Sequence, residues 1–211
     1  MSALKIKGAF TLVELLIGFT LLAVLSFMFV WFIVPVMRMA NLGTARVDIQ
    51  QTAVLACNRI ATDLLRSSPS GVSLHSRAAA DPAEPVVLAV IPIKDVDTEG
   101  RRVWDTNVVT FFWDRDKKWL LRRTFPPAPP GSLTIDPLPD YRPSRLAVSD
   151  LLALADSNAP YIRLATRVVN FDAAPFAGDR AFAIDLSIEE GVSGKRQAER
   201  FDYRKIVSLR N

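Results

Sequence analysis

The sequence predicts an α+β fold, one long N-terminal helix followed by an antiparallel β-rich domain, and three observations lead to it. Residues 10 to 37 form an apolar run whose only charged residue is Glu14. From Leu42 to Leu64, apolar residues recur at steps of three and four, the period of an amphipathic helix. Beyond Pro69 the pattern changes to short alternating or β-branched runs separated by polar and proline-rich stretches, which is how strands and their loops read. A helix followed by a set of strands is the α+β arrangement.

The first run is long enough to cross a bilayer, which takes about 20 apolar residues in a helix. Its far end, residues 31 to 42, is Trp-Phe-Ile-Val-Pro-Val-Met-Arg-Met-Ala-Asn-Leu, too bulky for the small-residue site at which a secretory signal is removed. Residues 10–37 are therefore expected to stay as a single-pass anchor. Lys5 and Lys7 precede the run and leave the N terminus cytoplasmic and residues 38 to 211 on the other side; Arg38 and Arg46 on the far flank oppose that orientation. Glu14 is costly inside the apolar layer and asks for a cation. The alternative is an acid that reaches back to headgroup water.

Residues 38–67 continue the helix as an amphipathic half. Leu42, Ala45, Ile49, Ala53, Ala56, Ile60 and Leu64 make its apolar stripe, and Arg46, Asp48, Gln50, Gln51, Arg59 and Asp63 are assigned mostly to other faces. Ser67-Ser-Pro-Ser-Gly71 is the stop. From Phe10 to Arg66 such a helix extends about 85 Å at 1.5 Å per residue. Pro35 and Gly43 are its weak points, since a proline removes one backbone bond and favours a kink.

Residues 68–211 make the β-rich domain. Val86 to Ile91 is a short apolar run, and Val108 to Trp113 with Trp119 to Phe125 form a hairpin around Asp114-Arg-Asp-Lys-Lys118. Seven prolines between Pro126 and Pro143 make a surface loop that no sheet interior accepts. Leu146 to Ala155 predicts a short helix. Phe182, Ile184, Leu186 and Ile188 alternate with Ala183, Asp185, Ser187 and Glu189, a half-buried strand. The Gly191-Val-Ser-Gly194 loop leads to a last strand near Arg200 to Leu209.

Charge and side-chain chemistry narrow the function. The net charge of +4 is too balanced for nucleic acid as a bulk partner. The basic pairs Arg101-Arg102, Lys117-Lys118, Arg122-Arg123 and Lys195-Arg196, interleaved with Trp104, Trp113 and Trp119, are expected on solvated strand and turn faces. His75 is the only histidine and stands in a Ser-rich stretch read as a surface loop, and no nucleophile elbow accompanies it, so the chain reads as non-enzymatic. Cys57, the only cysteine, is expected as a small packed residue on the helix's apolar face. Histidine and cysteine are too few for zinc. Asp95, Asp97, Glu99 and Gly100 make the first half of a calcium-loop pattern, but Thr106 stands where a bidentate glutamate belongs and Asp105 is only adjacent; a solvated acidic turn is the expectation, with no cofactor, and calcium as the alternative.

Lys7-Gly-Ala-Phe10-Thr-Leu-Val-Glu14-Leu-Leu-Ile-Gly18 resembles the N terminus of type IV prepilins and type II secretion pseudopilins, in which a basic leader ends before a Phe and a Glu is fifth in the mature chain. The resemblance implies residues 1–9 as leader, cleavage at Ala9-Phe10 by a membrane prepilin peptidase, N-methylation of Phe10, and a salt bridge of Glu14 with the amine of a neighbouring subunit. Its partners would be other pilins or pseudopilins, an inner-membrane assembly platform and membrane lipid. The residue before the cut is usually Gly in that family, and here Ala9 follows Gly8; cleavage between Gly8 and Ala9 is the second register and moves Glu14 to position six. Tyr203-Arg-Lys-Ile-Val-Ser-Leu-Arg-Asn211 and Asp63-Leu-Leu-Arg66 look similar to PilW-like minor pilins and J-type minor pseudopilins, which implies a subunit that initiates or primes assembly. A single-pass binding or sensor module that never assembles is the competing reading.

Overall fold

The computed structural model describes residues 11–76, 85–96, 98–100, 102–105, 107–125, 146–176, 180–191 and 198–209. The chain divides into two compact units, Met1–Ala45 and Arg46–Asn211. One helix, α1 (Leu12–Leu65), belongs to both and remains helical through Pro35. Among the described residues ten strands and a second α-helix follow it, so the α+β architecture is as the sequence predicts.

In the first unit the described side chains of the apolar run are exposed, apart from the half-buried Ile33. In the second unit α1 is amphipathic. Ile49, Ala53, Ala56, Cys57, Ile60, Ala61 and Leu64 are buried there, and each Ile or Leu side chain taken from water contributes about 1.5–3 kcal/mol. The first members of the stripe, Leu42 and Ala45, are only half-buried.

The helix ends as the Ser-Pro segment requires. Arg66 and Ser67 N–H groups bond back to Asp63 and Leu64 carbonyls, tightening the last turn, and Pro69–Gly71 form a 3-10 turn. The buried Ser67 hydroxyl donates to the Ile91 carbonyl at 2.6 Å. Gly71 must be glycine for a packing reason: a Cβ there meets Trp104 at 2.5 Å and the Ile91 carbonyl oxygen at 2.8 Å.

The main sheet has five antiparallel strands: β1 (Val72–His75), β2 (Val87–Val90), β5 (Val108–Asp114), β6 (Trp119–Phe125) and β7 (Tyr161–Ala165), in the order β1-β2-β5-β6-β7. β3 (Ile93–Val96) and β4 (Arg102–Trp104) pair as a separate ribbon, and β8 (Val168–Phe176), β9 (Ala181–Glu190) and β10 (Glu199–Ser208) form a three-stranded sheet in the order β10-β9-β8. The β5–β6 hairpin, the strand at β2 and the last two strands coincide with the sequence reading. Helix α2 (Val148–Asp156) matches the helix predicted from Leu146 to Ala155. The proline-rich segment 126–143 lies outside the described residues, as do all but Gly191 of the Gly191–Gly194 loop.

The central strands of the five-stranded sheet, β2, β5 and β6, are buried on both faces. Leu88, Val90, Val109, Phe111, Trp113 and Leu120 share one core with α1, whereas Val87, Ala89, Ile91, Val108, Phe112, Leu121 and Phe125 share another with Leu151, Leu154 and Ala155 of α2. Successive side chains of a strand point to opposite faces, so β2, β5 and β6 supply both cores. The three-stranded sheet covers α1 with one face only, through Phe182, Ile184, Leu186, Ile188 and Val207. Its other face carries Arg204, whose Nε and Nη2 donate to Asp185 at 2.7 and 2.8 Å.

Burial within the second unit corrects four expectations. Asp63 is not on a polar face: it is 2% exposed and accepts a bond from Arg122 Nε at 2.7 Å, with Arg59 Nε 3.7 Å away. Arg122 and Arg123 are not solvated. One reaches α1, and Arg123, 8% exposed, turns to the opposite face and donates from Nη1 to the Leu154 and Ala155 carbonyls of α2. His75 is in strand β1, paired with Val87, and half-buried, because the chain joins the sheet directly after the 3-10 turn. Ala183 and Ser187, expected on the solvated side of β9, are buried as well; both are small and flanked in register by Ile206 and Asp202 of β10.

Two outcomes are expected of the second unit alone. Residues 46–211, freed of the apolar run, unfold in a single cooperative transition in urea. Asp63→Ala lowers that stability by about 3–5 kcal/mol, the cost of leaving a buried charge without its partner, while replacing Asp63 and Arg122 together costs less than the sum of the single changes.

Candidate functional site

Glu14 lies in the first turn of α1, and its carboxylate is already engaged. Oε2 accepts the Thr11 backbone N–H at 3.0 Å and the Thr11 hydroxyl at 3.0 Å, while Thr11 Oγ1 accepts the Glu14 N–H at 3.3 Å. This reciprocal exchange is a capping box, which satisfies donors that the first turn of a helix otherwise leaves open. Thr11-Leu-Val-Glu14 carries the signal in the sequence, and a reading that treats Glu14 only as an acid in want of a cation passes over it. Oε1 accepts none of these bonds, and no cation among the described residues pairs with Glu14. Gly8, Ala9 and Phe10, the positions at which cleavage and methylation are expected, lie outside the described residues.

The carboxylate is set in an apolar surface. Leu12 is 81% exposed and Trp31 75%, and α1 is the one helix among the described residues long and apolar enough to cross a membrane. An exposed apolar surface of this size marks a membrane or protein interaction face. A single acid at the head of an otherwise uncharged span is an acceptor that can take a cation from a neighbour or from the lipid surface.

The other sequence-predicted residues are not brought together. Asp95 is in β3 and binds the Val96 N–H through Oδ1 at 2.8 Å; Glu99 is in the turn that follows, before Gly100 at φ +79. Asp97 and Thr106 lie outside the described residues, so the calcium pattern is described only in part, and no group of three or more His, Cys, Asp or Glu among the described residues is placed to hold a metal. Of the tryptophans next to the basic pairs, Trp104 and Trp113 are buried. Trp119 is half-buried, with Lys117 Nζ at 5.6 Å and Arg163 at 4.9 Å from its ring, an internal cation–π arrangement.

Cys57 is fully buried on α1 against the core. Burial pushes its thiol from the ordinary 9.0 up to about 12, with Lys205 opposing that rise. The thiolate is the reactive form, so the residue is a packed apolar group, as expected from its position on the stripe.

Compared with family models, with curated proteins and with solved structures, the chain matches none.

Cys57 gives a test of this burial. In the native protein it should resist a thiol reagent at neutral pH and react only on unfolding. A thiol whose pKa is raised on folding adds stability that is fully present below pH 9 and is lost as the pH climbs toward 12; Cys57→Ala should flatten that alkaline slope in a pH series of urea midpoints.

Proposed function

We propose that the chain is a non-enzymatic, membrane-inserted subunit of a type IV filament system, a minor pilin or minor pseudopilin that helps to initiate or prime assembly. One observation carries the reading: a lone carboxylate, Glu14, at the head of a long exposed apolar helix, on a chain whose remainder is a helix-on-antiparallel-sheet domain. The resemblance of residues 5 to 32 to prepilins supplies the identity that geometry does not. In this role a prepilin peptidase cuts at Ala9-Phe10 and methylates the new amine. The span then holds the subunit in the inner membrane with its N terminus cytoplasmic and its β-rich domain outside, and other pilins or pseudopilins and the assembly platform draw it into a filament.

Glu14 does two things in that cycle. Its Oε2 caps its own helix, and its Oε1 accepts the ammonium of a neighbour's first residue, an interaction strengthened by the low dielectric around it. The resulting pairing fixes the axial offset between neighbouring helices.

The capping box also favours a second reading, because it partly satisfies the carboxylate within the chain. A single-pass binding or sensor module needs no more than that, and it would keep its leader.

Two measurements separate the readings. The mass of the N-terminal peptide from membranes should be that of an N-methylated chain starting at Phe10; an intact Met1 end favours the anchored module. Glu14→Gln keeps shape, removes charge and lowers the cost of insertion. It should be processed at least as well as the parent yet enter filaments poorly, and normal incorporation would remove the pairing role.

A further inference from the structure

Strand β6 sends Arg123 into the core beneath α2, where the groups it touches directly are neutral. Nη1 bonds the Leu154 and Ala155 carbonyls, the guanidinium lies 4.4 Å from the centre of the Phe112 ring, and among the described residues no carboxylate forms an ion pair with it. The carbonyl end of α2 carries the partial negative charge of a helix C terminus, and the ring face adds to it. What this arrangement leaves over is Nε–H, which is buried and meets no protein acceptor. Burial accordingly pushes the Arg123 pKa below its ordinary value, against the smaller opposing influence of Tyr161, Asp114 and Asp156.

A second orphan lies on the residue paired with it. Thr110 of β5 is in register with Arg123 and is 0% exposed, and its hydroxyl also has no protein partner. On its other side its register partner is Ala89 of β2, which offers no polar group. Directly paired residues on neighbouring strands point to the same face with their Cβ atoms about 5 Å apart. Two buried polar groups without partners therefore share one small region under α2. Buried polar groups are almost always bonded, and the usual remedy for a pair of orphans in a core is an internal water.

We infer that a single water molecule is bound in the core between β5, β6 and α2, accepting the Nε–H of Arg123 and bonding the hydroxyl of Thr110. The ligand is neutral. The carbonyls and the aromatic ring already face the charge of Arg123, and the buried atoms left without a partner at this pair are one donor and one hydroxyl, which one water can bridge. The bound water joins β5 to the arginine that fastens α2, so the second core is held by a connected polar network as well as by apolar packing.

The test uses the full-length chain in detergent micelles, with arginine labelled in the guanidinium nitrogens. In the parent, Arg123 Nε–H should exchange slowly with bulk water and give a dipolar cross-peak to a long-lived bound water. Thr110→Val should abolish that cross-peak, and Thr110→Ser, which keeps the hydroxyl, should retain it. The measurement on the parent decides by itself if the valine variant does not fold. Absence of a bound-water cross-peak in the parent, or its survival in Thr110→Val, overturns the inference. So does a shift of the Arg123 Nε resonance when chloride is exchanged for bromide, which would mean that the guest is an anion.

Discussion

The domain depends on a sheet whose central strands are buried on both faces, and the two adjacent arginines of β6 show what that demands. Consecutive residues of a strand project to opposite sides, so Arg122 meets the α1 core and Arg123 the α2 core. Each arrives beside a group that needs it. Arg122 neutralises Asp63, a carboxylate in the last two turns of α1; Arg123 caps the carbonyl end of α2, whose own last turn has no basic residue. A helix gains when a cation stands near its C terminus, and here that cation comes from the sheet. Both helices are thus fastened electrostatically to one strand, and β6 lies next to the middle of the five-strand order.

The same logic of unsatisfied groups applies at the opposite end of the chain with a different outcome. In the core, Asp63 and the Nη1 of Arg123 find partners from elsewhere in the fold. On the exposed apolar half of α1, Glu14 finds, among the described residues, only Thr11, three residues away. Local capping uses one carboxylate oxygen, and among the described residues the other accepts no bond. An apolar surface of this length together with an open carboxylate oxygen is what the proposed role in a filament draws on.

Much was readable from residues alone, because it rests on short-range order. The uncharged run, the three-and-four stripe, the serine and proline stop, the hairpin around Asp114–Lys118 and the last two strands all follow from local periodicity and turn chemistry, and so does the capping box at Thr11 and Glu14. β1, β3, β4, β7 and β8 were not singled out. They are short or lack clean alternation, and three pairings among them carry register shifts, so their periodicity is broken where pattern reading needs it.

The sequence by itself determined a long apolar helix with one acid at its head, an amphipathic continuation and a β-rich domain, since helical and strand periods are properties of neighbouring residues. Only the tertiary structure decided that Asp63, Arg122 and Arg123 are interior. Such charges ordinarily lie on a solvated face, and what reverses this is distance in the chain: Asp63 and Arg122 are 59 residues apart, and Arg123 and Leu154 are 31 apart. A charge is buried when a partner awaits it, and no local pattern records a partner that only folding brings near.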